Sequence, residues 1–170
     1  MPLIYRAAAL AAATFSLLAL AACDPQRISE LKEGVSTEAD VRDRFGAPEN
    51  VWDEPGGART FEYNRQPAGQ VNYMITIGAD GRMTALRQVL TPENFARVVP
   101  GMRMDEVRRL LGKPAKVTPY ELKRETHADW RYLEAPNQAK MFTVVHGPDQ
   151  FVLRTQTGAD LEAPEFKGGK

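Results

Sequence analysis

One cysteine, Cys23, and two histidines, His127 and His146, are all that these 170 residues offer of the side chains that most readily bind transition metals. Without a second cysteine no intrachain disulfide can form, so the fold must be held by its core. Neither histidine has a second ligand three to five residues away, the spacing of a compact metal site. Each reads as a surface or strand-end residue. Also missing are Gly-x-Ser-x-Gly, His-Glu-x-x-His and a phosphate-binding loop. Gly56 and Gly57, in EPGGAR, precede no helical pattern and read as a strand connection rather than a phosphate cradle. Neither charge is in excess: 22 basic residues balance 22 acidic ones, with no long run of one sign. That argues against a nucleic-acid groove, which needs a basic face. These absences point to a non-catalytic binding or scaffolding protein with no cofactor, metal or small-molecule substrate.

The longest apolar run stands at the start. Residues 1–22, MPLIYRAAALAAATFSLLALAA, carry one charge, Arg6, and then an Ala/Leu-rich stretch. It is short for a membrane span, which needs about 20 apolar residues, and suits a secretory signal peptide. The following LAAC, Leu20 to Cys23, resembles the lipobox of bacterial lipoproteins. That resemblance implies cleavage after Ala22 and lipid attachment at Cys23, with residues 23–27 as a linker. It places the protein on a membrane through its lipid, on the periplasmic face. The outer membrane is expected, with the inner membrane as the alternative because Asp24 follows Cys23.

The rest of the chain contains a string used twice. In STEADVRDRFGAPENV and MRMDEVRRLLGKPAKV, Val41 aligns with Val107, Phe45 with Leu111, Gly46 with Gly112 and Pro48 with Pro114. Gly34 aligns with Gly101 after a gap of one residue. Such internal similarity governs the fold reading. Each copy is one helix with its stop signal: an apolar stripe, then a glycine suited to a left-handed helix end, then a proline that prevents continuation. Thr37 caps the first helix, with Asp40 completing a capping box. The aligned Arg103 cannot accept that bond, which predicts a weaker second start unless another group substitutes. Glu38–Arg42, Asp40–Arg44 and Asp105–Arg109 are spaced for ion pairs along one helix face. Thr91 and Pro92 open a further short helix in TPENFARVVPG, and ISELKEG forms the corresponding turn in the first unit.

After each Gly-x-Pro the pattern alternates. TFEYN and DWRYL are strands, with Phe61 and Tyr63, then Trp130 and Tyr132, at equivalent core-facing positions. VNYMITIGADGRMTALRQV is a hairpin turning at Asp80-Gly81, and KMFTVVHGPDQFVLRTQ is another turning around Gly147 to Gln150. The fold class is therefore α+β. Two tandem repeats, residues 28–91 and 92–158, each place short N-terminal helices on a three- or four-stranded antiparallel sheet. Residues 159–170 lack periodicity and read as a disordered tail. The polar loop from Asn64 to Gln70 is a candidate contact surface.

The lipobox cysteine, the Gly-x-Pro helix stop, the aromatic-x-aromatic strand and the ADGRM hairpin together resemble the SmpA/OmlA (BamE) lipoproteins. The residues carrying the match are Gly34, Val41, Phe45, Gly46, Pro48, Phe61, Tyr63, Asp80 and Gly81, and in the second half Gly101, Met102, Val107, Leu111, Gly112, Pro114, Trp130 and Tyr132. The resemblance implies a scaffold or accessory factor in outer-membrane β-barrel assembly, partnered by envelope proteins including the assembly machinery. BamE has a single unit, and this chain has two. Tandem units are also similar to the β-lactamase inhibitor proteins, whose resemblance implies a protein-binding module instead.

Overall fold

The computed structural model describes residues 28–163; the expected signal peptide, Cys23 and residues 164–170 lie outside them. Among the described residues, three helices, α1 (Glu38–Phe45), α2 (Pro92–Ala96) and α3 (Met104–Leu111), accompany eight strands. The strands are β1 (Asn50–Asp53), β2 (Arg59–Asn64), β3 (Asn72–Ile77), β4 (Met83–Gln88), β5 (Lys116–Tyr120), β6 (Glu125–Glu134), β7 (Gln138–His146) and β8 (Val152–Ala159). They form two antiparallel sheets, β1-β2-β3-β4 and β5-β6-β7-β8. Both sheets have four strands. The edge strands β1 and β5 are the ones the alternating pattern does not announce, since each is short and follows directly on a helix stop.

Alternation sorts each sheet into a core face and an opposite face. Phe61, Tyr63, Ile75, Ile77 and Met83 gather with Val41 and Phe45 of α1 in one apolar cluster. Trp130, Tyr132, Phe142 and Val144 gather with Val107 and Leu111 of α3 and Phe95 of α2 in another. Leu90 packs into this second cluster, although it precedes the boundary expected at residue 91.

The helix ends show how local chemistry sets the elements. Thr37 Oγ1 accepts from the Asp40 N–H at 3.3 Å while Asp40 accepts from the Thr37 N–H at 2.8 Å, the reciprocal box expected. At α3 a guanidinium has no lone pair to offer. Glu106 accepts from the Arg103 N–H at 2.8 Å, and Asp105 accepts from the Glu106 N–H at 3.0 Å. A carboxylate one residue into the helix thus replaces the missing cap. This use of the acids redirects the ion pairs: Arg42 meets Glu38 as spaced, but Arg44 turns to Glu30 and Asp105 to Arg103. Both stop glycines have positive φ, but their ψ values of −156° and −172° are extended, not left-handed helical. That conformation belongs to glycine and launches the chain straight into β1 and β5.

Part of the expected tail is packed. Asp160 and Ala163 are buried, and Asp160 accepts from Arg131 Nε at 2.7 Å.

Candidate functional site

The residues singled out in the sequence separate into structural and available ones. Phe61, Tyr63, Trp130 and Tyr132 are buried in the two cores and form no binding stripe. His146 is buried with Nδ1 2.9 Å from the Gly147 carbonyl. The His127 ring packs tilted against Tyr120 at 4.4 Å between centroids, with Nε2 3.7 Å from Glu125. Among the described residues no group of three His, Cys, Asp or Glu could hold a metal ion. Gly56 and Gly57 lie in a 3₁₀ turn between β1 and β2, as a strand connection should.

The loop from Asn64 to Gln70 is spent within the molecule. Gln66 donates to the Arg131 carbonyl at 2.7 Å and accepts from the Arg131 N–H at 3.1 Å. Arg131 in turn donates to the Pro67 carbonyl at 2.8 Å. The register of β5 with β6 ends at Asp129, so the edge of β6 is open at Arg131. The Gln66 carboxamide fills that place as a strand would.

This latch belongs to a wider seam. Glu62 lies opposite Asn50 and Met74, on the sheet face away from the first core. It is 0 % exposed, and its carboxylate accepts from the Lys113 N–H at 2.8 Å and from Arg108 Nη2 at 3.3 Å. Asn72, also buried, donates to the carbonyls of Leu111 and Lys113 at 2.9 and 3.1 Å. Two polar residues of the first sheet therefore satisfy the backbone groups left over at the C-terminal end of α3. Trp130 Nε1 donates to the neighbouring Gly112 carbonyl at 2.9 Å. Sequence reading missed this seam: polar side chains alternating with core residues look like a solvated face.

Beside the seam opens a cleft of about 420 Å³. Trp52 of β1 forms one wall, with the Arg109 guanidinium 4.9 Å from its ring; Met104, Arg108, Val117, Trp130 and Gln150 line the rest. The indole N–H of Trp52 and Nε of Arg108 are buried and find no acceptor among the described residues. Thr126 lies both here and in an adjoining depression of about 270 Å³, walled by Pro119, Tyr120, Arg124 and Pro148. That depression leads to the β5–β6 turn, Glu121–Lys123.

The turn is unusual in composition and conformation. Leu122 is 103 % exposed, beside the exposed Tyr120. Arg124 closes the turn at φ 52°, ψ 41°, a left-handed conformation uncommon outside glycine, asparagine and aspartate. Behind it Arg154 forks onto Glu125 with bonds of 2.7 and 2.9 Å, holding the Glu125 carboxyl down at about 2. A charged clamp thus fixes the base of an apolar tip.

No family model matches the chain, and no curated protein matches it. Among solved structures, it is similar to a DUF4309 family protein (YjgB) from Bacillus subtilis, 23% identical over 80% of this chain and 86% of that one, with a TM-score of 0.31. It is also similar to a "putative beta-lactamase inhibitor protein" from Streptococcus mutans, 10% identical over 75% of this chain and 84% of that one, with a TM-score of 0.33. Neither is an SmpA/OmlA (BamE) protein, and the resemblance drawn from the motifs is corrected accordingly. Its physical basis was generic: a helix ended by glycine and proline and a hairpin turned by Asp-Gly recur wherever those elements are needed.

Proposed function

We propose that this chain is a non-catalytic protein-binding module, built from two copies of one α+β unit, that grips a partner with the β5–β6 turn and the adjoining cleft. The carrying observation is Leu122: a large apolar side chain held wholly in solvent on a short turn braced by the Arg154–Glu125 clamp. Tyr120 adjoins that tip, and Val117, Trp52 and Met104 line the neighbouring cleft. Aromatic and methionine side chains ringed by arginine are the composition of interface hot spots. A pre-formed turn loses little conformational freedom on docking, which favours the inhibitor-like mode of inserting a loop into a partner's recess. The Trp52 and Arg108 donors further suit a partner segment that brings a carbonyl or carboxylate oxygen.

The test is site-specific photo-crosslinking in the native host, with a benzophenone side chain at position 122 and, for comparison, at the exposed Val35. A discrete adduct is expected at 122 and not at 35. With the partner in hand, Leu122→Ala is expected to weaken binding by about 2 kcal/mol or more while leaving the melting temperature unchanged. Equal adducts at both positions, or full affinity in Leu122→Ala, would remove the turn from the interface.

A further inference from the structure

The outer edges of the two sheets are treated differently, and the difference exposes a second interaction surface. In the first sheet Met83 turns its backbone away from β3, accepting from the Gly34 N–H and donating to the Ser36 carbonyl at 2.7 Å each. Leu86, the next outward position, is closed by side chains: its N–H donates to Glu33 at 3.0 Å and its carbonyl accepts from Arg87 Nη1 at 3.0 Å. In the second sheet Val152 turns outward in the same way, with bonds of 2.8 Å to the Gly101 N–H and the Met102 carbonyl. The residue before Gly101 is Pro100, whose side chain has no acceptor to place where the Glu33 carboxylate stands.

The ladder fixes which groups of β8 are left over. Val152 faces His146, while the Asp160 N–H bonds inward to the Ala139 carbonyl. Alternation between those points directs the N–H and C=O of Thr155, opposite Val144, and Thr157, opposite Phe142, away from β7. No group among the described residues meets them. The other edges are blunted: β5 contains Pro119, and β1 is only four residues long. β8 has eight residues, no proline and one charge, Arg154, already neutralised by Glu125. An edge of that kind is a template for strand addition.

We infer that β8 pairs with β8 of a second copy of this chain, antiparallel about a two-fold axis at Gln156. In that register Thr155 of one copy exchanges both backbone bonds with Thr157 of the other, and the reverse. Threonine–threonine pairs across strands are favourable. Arg154 meets Gly158, so no like charges face each other and the guanidinium has room. Charge neutrality and this self-complementarity favour a second copy over an unrelated strand. The two second-half sheets become one continuous eight-stranded sheet through an isologous contact.

The experiment is oxidative cross-linking of the purified full chain in mild detergent, with Cys23→Ser throughout. Gln156→Cys places two thiols in a non-hydrogen-bonded pair on the axis, where side chains stand close enough for a disulfide. Val35→Cys, exposed but off the edge, measures random collision. Gln156→Cys is expected to form covalent dimer on the order of tenfold faster than Val35→Cys, because pairing raises the effective thiol concentration. Adding Thr157→Pro removes an outward N–H that serves no bond within the chain, and is expected to return the rate to the collision level. Equal rates for the two cysteines, or a Gln156→Cys rate unmoved by Thr157→Pro, overturn the proposal.

Discussion

At the scale of single residues, Glu125 shows how one side chain serves two ends. Its carboxylate holds Arg154 across the sheet and sits at the foot of the turn that presents Leu122. The bidentate bond from Arg154 stabilises the charged form, lowering the carboxyl from 4.5 to about 2. A folded-state value below the unfolded one means stability is gained where the group is ionised. The contribution is complete above about pH 4.5 and is lost as the pH falls toward 2. Glu125→Gln is therefore expected to lower the urea midpoint at pH 7 but to leave it close to that of the parent protein near pH 2. An equal deficit at both pH values would mean that packing, not charge, sets the effect. Acids and bases of this kind were only half legible in the sequence. Spacing alone paired Asp40 with Arg44 and Asp105 with Arg109, but the helix starts claimed both acids, the first through Thr37 and the second through Arg103 and Glu106. Local backbone donors win over a solvated pair that is worth a few tenths of a kcal/mol.

Elements were legible where their signals are local. The α1 and α3 stripes, the Thr37 and Thr91 caps and the Asp80-Gly81 turn all lie where residue chemistry puts them. β1 and β5 were not, because a four- or five-residue edge strand holding Pro119 or flanked by Pro48 has too little alternation to register. Gly46 and Gly112 connect helix to edge strand in both sheets, yet their surroundings differ. A Cβ at Gly46 meets nothing within 4 Å, whereas one at Gly112 comes to 3.0 Å from the Asn72 amide nitrogen. Both positions hold positive φ with extended ψ, so alanine at either is expected to cost about 1–3 kcal/mol. Gly112→Ala is expected to cost roughly 1 kcal/mol more, since it displaces the Asn72 amide from the Leu111 and Lys113 carbonyls. Urea denaturation of the two variants measures this; an equal loss in both would show that Asn72 yields without consequence.

For the molecule as a whole, the seam is what no local pattern could disclose. Glu62 and Asn72 alternate with core residues on β2 and β3, and only the placement of α3 against that face turns them from solvated to buried. Once buried, they must be satisfied together: Lys113 and Arg108 converge on one, and the Leu111 and Lys113 carbonyls on the other. Removing either leaves backbone groups without partners in a low-dielectric seam, at about 1–3 kcal/mol each. The two sheets are thereby coupled by polar bonds rather than by a shared apolar core, since the two apolar clusters are distinct. Coupling of that kind predicts cooperative unfolding that specific substitutions can split. Trp52 and Trp130 are the chain's only tryptophans, so a Trp52→Phe background leaves fluorescence reporting on the second core while far-UV circular dichroism reports on both sheets. The two signals are expected to coincide in that background and to separate once Glu62→Ala and Asn72→Ala are added. Signals that still coincide in the triple variant would mean that the latch of Gln66 on Arg131 suffices alone to make the two sheets one folding unit.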